Sequence, residues 1–362
     1  MRTDELEFDL PAALIATSPA EPRDSARLLV VSRSDGAVLE HRRVRDLPEL
    51  LRAGDRLVFN TTRVVPARFV GRNAETGGAI QGLWLRNGGD AGTWVVLLKA
   101  RRHRAGAKLM LERPDGSPGA SLTLLGPASD EDGAWLVRVE GGESAVALES
   151  LGRAPLPPYI LSARRQHGDD ADQDADRERY QTVYADEPGS VAAPTAGLHF
   201  TERLLGDLGA AGVRRSDVVL HVGRGTFAPV EAEHVEAHPM HSEWCRVSDA
   251  AWAAIRASRL SGERVVAVGT TSCRTIESYA QAFERTGEPP PAMETDLLIT
   301  PGYRWRATDG LLTNFHLPRS TLLAMVGALF EGGVPRLLSV YKEAIAEGYR
   351  FYSYGDAMLI LP

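Results

Sequence analysis

Arg264-Val-Val-Ala-Val-Gly-Thr-Thr-Ser-Cys-Arg274 decides the fold. The apolar run Val265–Val268 has strand length and no alternation, which reads as a buried strand. Gly269 and the hydroxyls of Thr270, Thr271 and Ser272 follow as a loop, and a helix is expected from Thr275 to Arg285. Strand, small-residue loop, helix is the order in which α/β proteins turn strand ends into ligand-binding loops. Three more segments offer the same ingredients: Val191-Ala-Ala-Pro-Thr-Ala-Gly-Leu-His-Phe200, His221-Val-Gly-Arg-Gly-Thr-Phe227 and Thr313-Asn-Phe-His-Leu-Pro-Arg-Ser-Thr321. Each supplies small residues, a hydroxyl or amide, and a His or Arg. Together they suggest one composite site.

Outward from that stretch, Val218–His221 reads as a second buried strand, and Ala250–Leu260 and Ser320–Phe330 as helices. Leu28–Val31 and Arg56–Phe59 are apolar runs of strand length, with a helix-like Val44–Leu51 between them that Ala53-Gly54 ends. Asp9–Arg27 is irregular or short helical structure, broken at Pro11, Pro19 and Pro22. From about residue 64 to 150 the texture changes to short alternating runs such as Thr93–Leu98, with turn signals at Asn87–Asp90, Arg104–Gly106 and Asp115-Gly116. That pattern indicates an all-β unit, a small barrel. Pro155-Leu-Pro-Pro-Tyr159 reads as a stiff connector, and the acidic Gly168–Asp176 as a mobile loop without the glycine and terminal glutamate of a calcium loop. The expected fold class is α/β: a layered α/β/α main domain (1–62 and 153–362) interrupted by a small antiparallel β-barrel domain (63–152).

The 362 residues are 43% hydrophobic and 25% charged, an ordinary globular composition. No apolar run approaches the ~18 residues of a membrane span, so no membrane partner is expected. The acidic N-terminus lacks a secretory stretch. Cys245 and Cys273 are too few for a disulfide framework or a cysteine metal cage, and a cytoplasmic location follows. The net charge of −7 argues against coating nucleic acid by charge alone. It leaves room for local basic faces at His41–Arg45 or at Lys99–Arg104 with Lys108, or for strand edges guarded by charge.

Asn60-Thr-Thr-Arg63 follows the strand ending at Phe59, and its amide, hydroxyls and guanidinium suit a carboxylate or phosphate. A plain turn with a surface arginine reads equally well. The start of the helix after Gly269 offers free N–H groups, with Arg274 adding charge. His221–Phe227 contains Gly-x-Gly, but the third glycine of a dinucleotide fingerprint is missing and Pro229 follows closely. Of nine histidines, six lie between His199 and His316. Hydrogen-bonding or acid–base histidines fit those loops. A metal-dependent hydrolase using His234, His238, His241 and Glu243 is an alternative, although Pro239 interrupts any single helical face. A non-catalytic RNA-binding module on the basic β unit is a further one, disfavoured by net charge and by the lack of stacking-rich strands.

Taken together, the ordered motifs carry a resemblance. They are Asp9-Leu-Pro with Ile15-Ala, Phe59–Arg68, Pro155–Ile160, Tyr180-Gln-Thr-Val-Tyr184, Ala192–Phe200 and His221–Phe227, then Met240-His-Ser-Glu243, Val268–Ser272, Thr313–Pro318 and Tyr349–Met358. The chain resembles the S-adenosylmethionine:tRNA ribosyltransferase-isomerases of queuosine biosynthesis over nearly its whole length. The resemblance implies the interrupted α/β fold and a transfer of the ribosyl portion of S-adenosylmethionine to 7-aminomethyl-7-deazaguanine at the tRNA wobble position, with adenine and methionine released. It implies S-adenosylmethionine as a consumed substrate, so that no separate cofactor and no metal is needed, with tRNA as partner; a cytoplasmic monomer is expected.

On that basis His199, His221 and His316 are the expected proton-transfer or orienting residues. Thr270, Thr271, Ser272 and Arg274 are expected to hold the methionine carboxylate, and Asn60, Arg63, Thr195, Gly197, Gly223, Gly225, Thr226, His241 and Asn314 to line the same cleft. Tyr354 and Asp356 are expected to close it. The chain departs from the family pattern at Thr61, where Asn or Asp is usual, and at Thr300, where tyrosine is usual. It departs also at Gln81-Gly82 in place of Glu-Val, and at Arg224 between the paired glycines, where a small residue is expected.

Overall fold

A computed structural model describes residues 1–362 apart from 35–37, 100–103, 130, 132, 141–143, 169–174 and 224–229; at 38–39, 144–146 and 167 it describes the backbone alone. The acidic stretch and the Lys99–Arg104 basic candidate therefore lie largely outside the described residues. Arg224, Gly225 and Thr226 lie wholly outside them.

The chain forms two compact units: Met1–Arg63 with Pro157–Ala171 and Gln181–Pro362, and Val64–Leu156 with Asp172–Tyr180. The chain opens with β1 (Arg27–Ser32), β2 (Val38–Arg43), α1 (Leu47–Leu50), β3 (Arg56–Asn60) and β4 (Thr62–Val64). Next come β5 (Arg68–Asn73), β6 (Ala79–Asn87), β7 (Thr93–Lys99), β8 (Lys108–Glu112), β9 (Pro118–Pro127), β10 (Ala134–Glu140) and α2 (Ser144–Leu151). They are followed by α3 (Pro158–His167), α4 (Asp176–Arg179), β11 (Glu187–Ser190), α5 (Glu202–Ala210), β12 (Arg214–Leu220), β13 (Glu243–Arg246) and α6 (Asp249–Leu260). The chain closes with β14 (Val265–Val268), α7 (Thr270–Thr286), β15 (Met293–Thr295), β16 (Gly310–Asn314), α8 (Thr321–Gly327), α9 (Gly333–Ala346) and β17 (Ala357–Leu361).

In the smaller unit, β10-β7-β6-β5-β8-β9 closes into an antiparallel barrel, which leaves no strand edge unpaired. Phe69, Trp94, Leu109, Leu122 and Val137 fill its interior, and α2 adds Leu148 and Leu151. Gly82 lies opposite Phe69 in the β5–β6 ladder. A Cβ there would stand 2.1 Å from the Phe69 ring. The glycine at this departure position is thus the space that the Phe69 ring occupies.

The larger unit is built on a nine-stranded mixed sheet, β15-β13-β12-β3-β14-β16-β17-β1-β2. Its centre is parallel: β3 pairs β12 and β14 in parallel, and β14 pairs β16 the same way. The antiparallel pairs lie outside that centre, β13 on β12 and β17 on β16 among them. Alternate strand residues point to opposite faces. Leu57, Phe59, Val266, Val268 and Leu312 pack with Leu204 and Leu208 of α5 on one side. On the other side, Val58 and Val265 meet Trp252 of α6 and Ile276 of α7, while Ala267 and Leu311 meet α8 and α9 through Leu323, Leu337 and Tyr341. Helices on both faces make the layered α/β/α architecture expected from the sequence. Burial of each large side chain contributes roughly 1.5–3 kcal/mol of transfer free energy.

Local signals set the helix starts. Thr201, Ser248 and Ser320 accept the N–H of Leu204, Ala251 and Leu323 through their hydroxyls and so cap α5, α6 and α8. Two boundaries differ from expectation. Helix α7 begins at Thr270 rather than Thr275, because Gly269 at φ +89° makes the whole turn from β14 in one residue. The expected connector Pro155–Tyr159 turns helical at Pro158, where a proline at the first helical position forfeits no hydrogen bond. Of the basic run His41–Arg45, residues 41 to 43 lie on β2, the edge strand, where Arg42 pairs with Glu40 and Glu49; this is the charged-edge arrangement. Among the described residues no helix is long and apolar enough to cross a membrane.

Candidate active site

The parallel strands β12, β3, β14 and β16 deliver their carboxyl ends to one side of the sheet, and the described residues of the four loops singled out in the sequence gather there or beside it. Asn60 ends β3 and is fully buried. Its Nδ2 donates to Leu220 O (3.0 Å) and Thr271 Oγ1 (3.3 Å), and its Oδ1 accepts from Leu220 N (3.0 Å) and Thr62 N (3.2 Å). One amide thereby ties the ends of β3 and β12 to the first turn of α7. It supports the site from beneath.

Above it lies an open cleft of about 570 Å³ lined by Thr195, Gly269, Thr270, Thr271, Thr313, Asn314 and His316, with walls from Tyr159, Phe315, Leu322, Tyr352 and Ser353. A few convergent polar groups among apolar walls is the usual make-up of a small-molecule site. Thr195 Oγ1 donates to Asn314 Oδ1 (2.8 Å), and Asn314 Nδ2 donates to Tyr352 O (3.0 Å). Tyr352 holds φ +73°, a conformation unfavourable for a residue with a bulky side chain, and its ring meets Tyr159 edge-on at 4.8 Å. Strain of that kind is retained where the surroundings over-determine it.

His316 is the histidine of the cleft. Its Nε2 lies 2.7 Å from Thr313 Oγ1, and its backbone N–H donates to Tyr341 Oη at 2.9 Å. Burial pushes its imidazole down to about 4, so the ring is neutral at physiological pH.

Several other expected site residues have different surroundings. His199 is buried with Nδ1 at 3.0 Å from Ala196 O and Nε2 at 3.0 Å from Gly355 O, and it does not line the cleft. His221 is half-buried, stacks on Trp244 at 4.9 Å and shares a hydrogen bond with Thr62 Oγ1 at 2.9 Å; burial lowers its basicity. Gly189 leaves its ring room, since a Cβ there would come within 2.7 Å. Arg63 reaches outward to Asp186 O (3.1 Å) and Ala185 O (2.8 Å). Gly197 packs against Tyr184, whose hydroxyl would meet a Cβ at 2.0 Å. Ser272 donates to Val268 O at 2.9 Å within α7. Tyr354 is buried. Asp356 accepts the N–H of Arg27 (2.9 Å) and of Arg350 (2.8 Å), which fixes the chain entering β17.

Arg274, Glu243 and His241 meet in a second cleft of about 450 Å³, with His238, Met240, Leu297, Leu298, Ile299, Thr321, Leu322 and Met325. The Arg274 and Glu243 side chains are only 6% and 5% exposed and form an ion pair. Glu243 also accepts the Gly223 N–H at 2.9 Å. Arg274 donates to Leu297 O at 3.2 Å and Thr295 O at 3.5 Å. Because the Glu243 carboxylate already serves Arg274 and Gly223, it does not join the histidines as a ligand set. Among the described residues no group of three or more His, Cys, Asp or Glu is placed to hold a metal ion. The hydrolase alternative therefore has no support. Tyr159, Tyr352, Ser353 and the Glu243–Arg274 pairing were not singled out from the sequence, although each lies within or beside a quoted motif.

A sequence model of the family described as "Queuosine biosynthesis protein" matches residues 3–360. The chain belongs to the queuosine biosynthesis protein family. Within this family, a protein of Gloeobacter violaceus named S-adenosylmethionine:tRNA ribosyltransferase-isomerase is 48% identical, covering 99% of this chain and 96% of its own. One of Symbiobacterium thermophilum with the same name is 49% identical over 100% of both chains. The crystal structure of S-adenosylmethionine tRNA ribosyltransferase from Thermotoga maritima matches with a TM-score of 0.53 and 32% identity, covering 99% of this chain and 100% of that one. This member of the queuosine biosynthesis family is an enzyme, a transferase–isomerase, as the motif resemblance implied.

Proposed function

We propose that the protein transfers and isomerises the ribosyl part of S-adenosylmethionine onto 7-aminomethyl-7-deazaguanine at the tRNA wobble position, forming epoxyqueuosine and releasing adenine and methionine. The observation that carries this reading is the cleft at the carboxyl edge of the sheet, where a neutral His316 stands beside the Thr195–Asn314 pair and the hydroxyls of Thr270 and Thr271. The names borne by full-length relatives support it.

The chemistry asks for three things. The sulfonium acidifies the methylene beside it, so a nearby base must take a proton there. Adenine must leave as a protonated or strongly hydrogen-bonded base, and the attacking amine must be neutral. His316, unprotonated at neutral pH, is the proton acceptor of this reading, with Thr313 Oγ1 holding its Nε2 at 2.7 Å and so fixing which nitrogen faces the ligand. Thr195, Thr270, Thr271 and Asn314 orient the nucleoside. His221, outside this cleft, is a candidate for the base or tRNA end. Buried His199 takes no part. S-adenosylmethionine is consumed as a substrate, and the site acts in the cytoplasm on tRNA, as a monomer.

The test is incubation of the protein with S-adenosylmethionine and tRNA carrying the aminomethyl-deazaguanine base, followed by nucleoside mass analysis. The epoxyqueuosine nucleoside with equimolar adenine is expected. No product from folded protein on a validated tRNA overturns the reading.

A further inference from the structure

The proposed chemistry leaves one task without a residue. His316 takes the proton from the methylene, but adenine must also be strongly hydrogen-bonded as its bond to the ribose breaks. Several hydroxyls along the cleft are already committed. Thr195 Oγ1 donates to Asn314 Oδ1 and Ser320 Oγ to Leu317 O, Thr313 Oγ1 shares its hydrogen bond with His316, and Tyr159 Oη pairs with Ser353 Oγ. Thr270 and Thr271 offer alcohols, weaker donors than a phenol.

Tyr352 is different. The residue is only 7% exposed, yet its hydroxyl is neither sealed in the interior nor bonded to any described group. The open space that it borders is the cleft. Its backbone fixes the placement: the Tyr352 N–H donates to Phe315 O at 3.1 Å, and its carbonyl accepts from Asn314 Nδ2 at 3.0 Å. Those two bonds hold the left-handed φ of +73°. They also tie Tyr352 to residues 314 and 315, so that the phenol and the His316 imidazole are carried by one segment at the end of β16. The Tyr352 ring, edge-on to Tyr159, gives the cleft an aromatic wall suited to a purine. Burial pushes the phenol up to about 12, so it keeps its hydrogen at any working pH and serves as a donor.

We propose that Tyr352 Oη donates a hydrogen bond to a ring nitrogen of the adenine, N7 or N3, and so positions the purine and eases its departure. This deepens the activity proposed above and rests on it. As the C1′–N9 bond breaks, its electron pair passes to the purine, and the phenol hydrogen bond stabilises that charge. Tyr352 keeps its hydrogen. Solvent supplies the proton that completes free adenine, which balances the one removed by His316.

Calorimetric titration of the intact protein with 5′-methylthioadenosine and its 7-deaza and 3-deaza forms tests it. One deaza form is expected to bind about 3–10-fold more weakly than the parent nucleoside, the effect of one hydrogen bond. Tyr352→Phe, which keeps the ring, is expected to weaken methylthioadenosine by the same factor and to leave that deaza form within about 2-fold. Single-turnover ribosyl transfer in this variant is expected to fall about 10²-fold or more, with S-adenosylmethionine binding weakened no more than about 10-fold. Equal binding of all three nucleosides to the unaltered protein overturns the proposal and needs no variant. Equal weakening of all three in folded Tyr352→Phe protein overturns it too, since a purely structural tyrosine gives that result. Transfer at the parent rate in that variant does the same. Failure of both methylthioadenosine and S-adenosylmethionine to bind the unaltered protein sinks the reading of the activity as well.

Discussion

His199 and His316 occupy segments of similar composition, yet they belong to two different tiers of the molecule. In the lower tier, beneath the strand ends, Asn60, His199 and Asp356 are buried and spend their polar atoms on backbone groups and neighbouring side chains. In the upper tier Thr195, Thr270, Thr271, Asn314 and His316 line an open cleft. The lower tier holds loops in place; the upper tier faces the cleft. A histidine's job is therefore read from what its two nitrogens already touch, and the residues around it in sequence say little about that.

Removing one residue from each tier sharpens the contrast. His316→Ala is expected to lower single-turnover ribosyl transfer on the order of 10²–10⁴-fold, with little change in urea unfolding. Asn60→Ala strands the buried Leu220 N–H and other partners, and is expected to lower stability by about 2–4 kcal/mol, read from the urea midpoint. His199→Ala belongs with it: a loss of about 1–3 kcal/mol and transfer per folded molecule within about 3-fold of the parent. A hundredfold loss of transfer in folded His199→Ala protein would break the division into tiers.

The barrel supplies a control outside both. Gly82→Val drives a side chain into the Phe69 ring and is expected to cost about 1–3 kcal/mol, with part of that recovered in the Gly82→Val/Phe69→Leu double variant. Failure of the second change to help would dissociate the two positions. The smallest effect is assigned to Arg63→Ala, within about 0.5 kcal/mol in stability, because that guanidinium is exposed and bonded only to carbonyls.

Acid probes the same contrast. His316 titrates at about 4 in the folded protein against about 6.5 in an unfolded chain. Between those values the unfolded chain holds the additional proton, so this group's contribution to stability is complete above about pH 6.5 and declines as the pH falls towards 4. Burial lowers His199 and His221 as well, which acts in the same sense. The rate should show no inflection from His316 between pH 6 and 8 and should fall as pH drops through about 4. A kcat/KM profile with a limb near 7 that vanishes in His316→Ala would contradict the neutral-ring reading.

How far the sequence carried the fold depended on range. Strands β3, β12 and β14 were legible because each is a short apolar run with a turn behind it. β17 was not, because Ala357–Leu361 earns its place only by lying between β16 and β1, both distant in sequence. The first turn of α7 was misplaced because glycine at positive φ compresses a loop in a way that composition does not reveal. Thr270, Thr271, Asn314 and His316 were legible as neighbours in one cleft since they sit at the ends of β14 and β16, and Thr195 through the composition of its loop. Arg274 and Glu243 were each singled out, but their contact was not, because two charges 31 residues apart carry no mutual signal in a single sequence. His199 looked equivalent to His316 because loop chemistry does not say which way a ring turns.

The amide of Asn60 also constrains the order of events during synthesis. Its distant partners, Leu220 and Thr271, are 160 and 211 residues further along the chain, and both neighbours of β3 emerge correspondingly late. Until they arrive, Leu57, Val58 and Phe59 form an apolar ribbon with both edges open, the kind of segment that recruits unintended partners. The barrel strands, joined to neighbours close in sequence, face no such wait. For β3 that interval closes only once β14 has been made, when Asn60 can tie β3 and β12 to the first turn of α7.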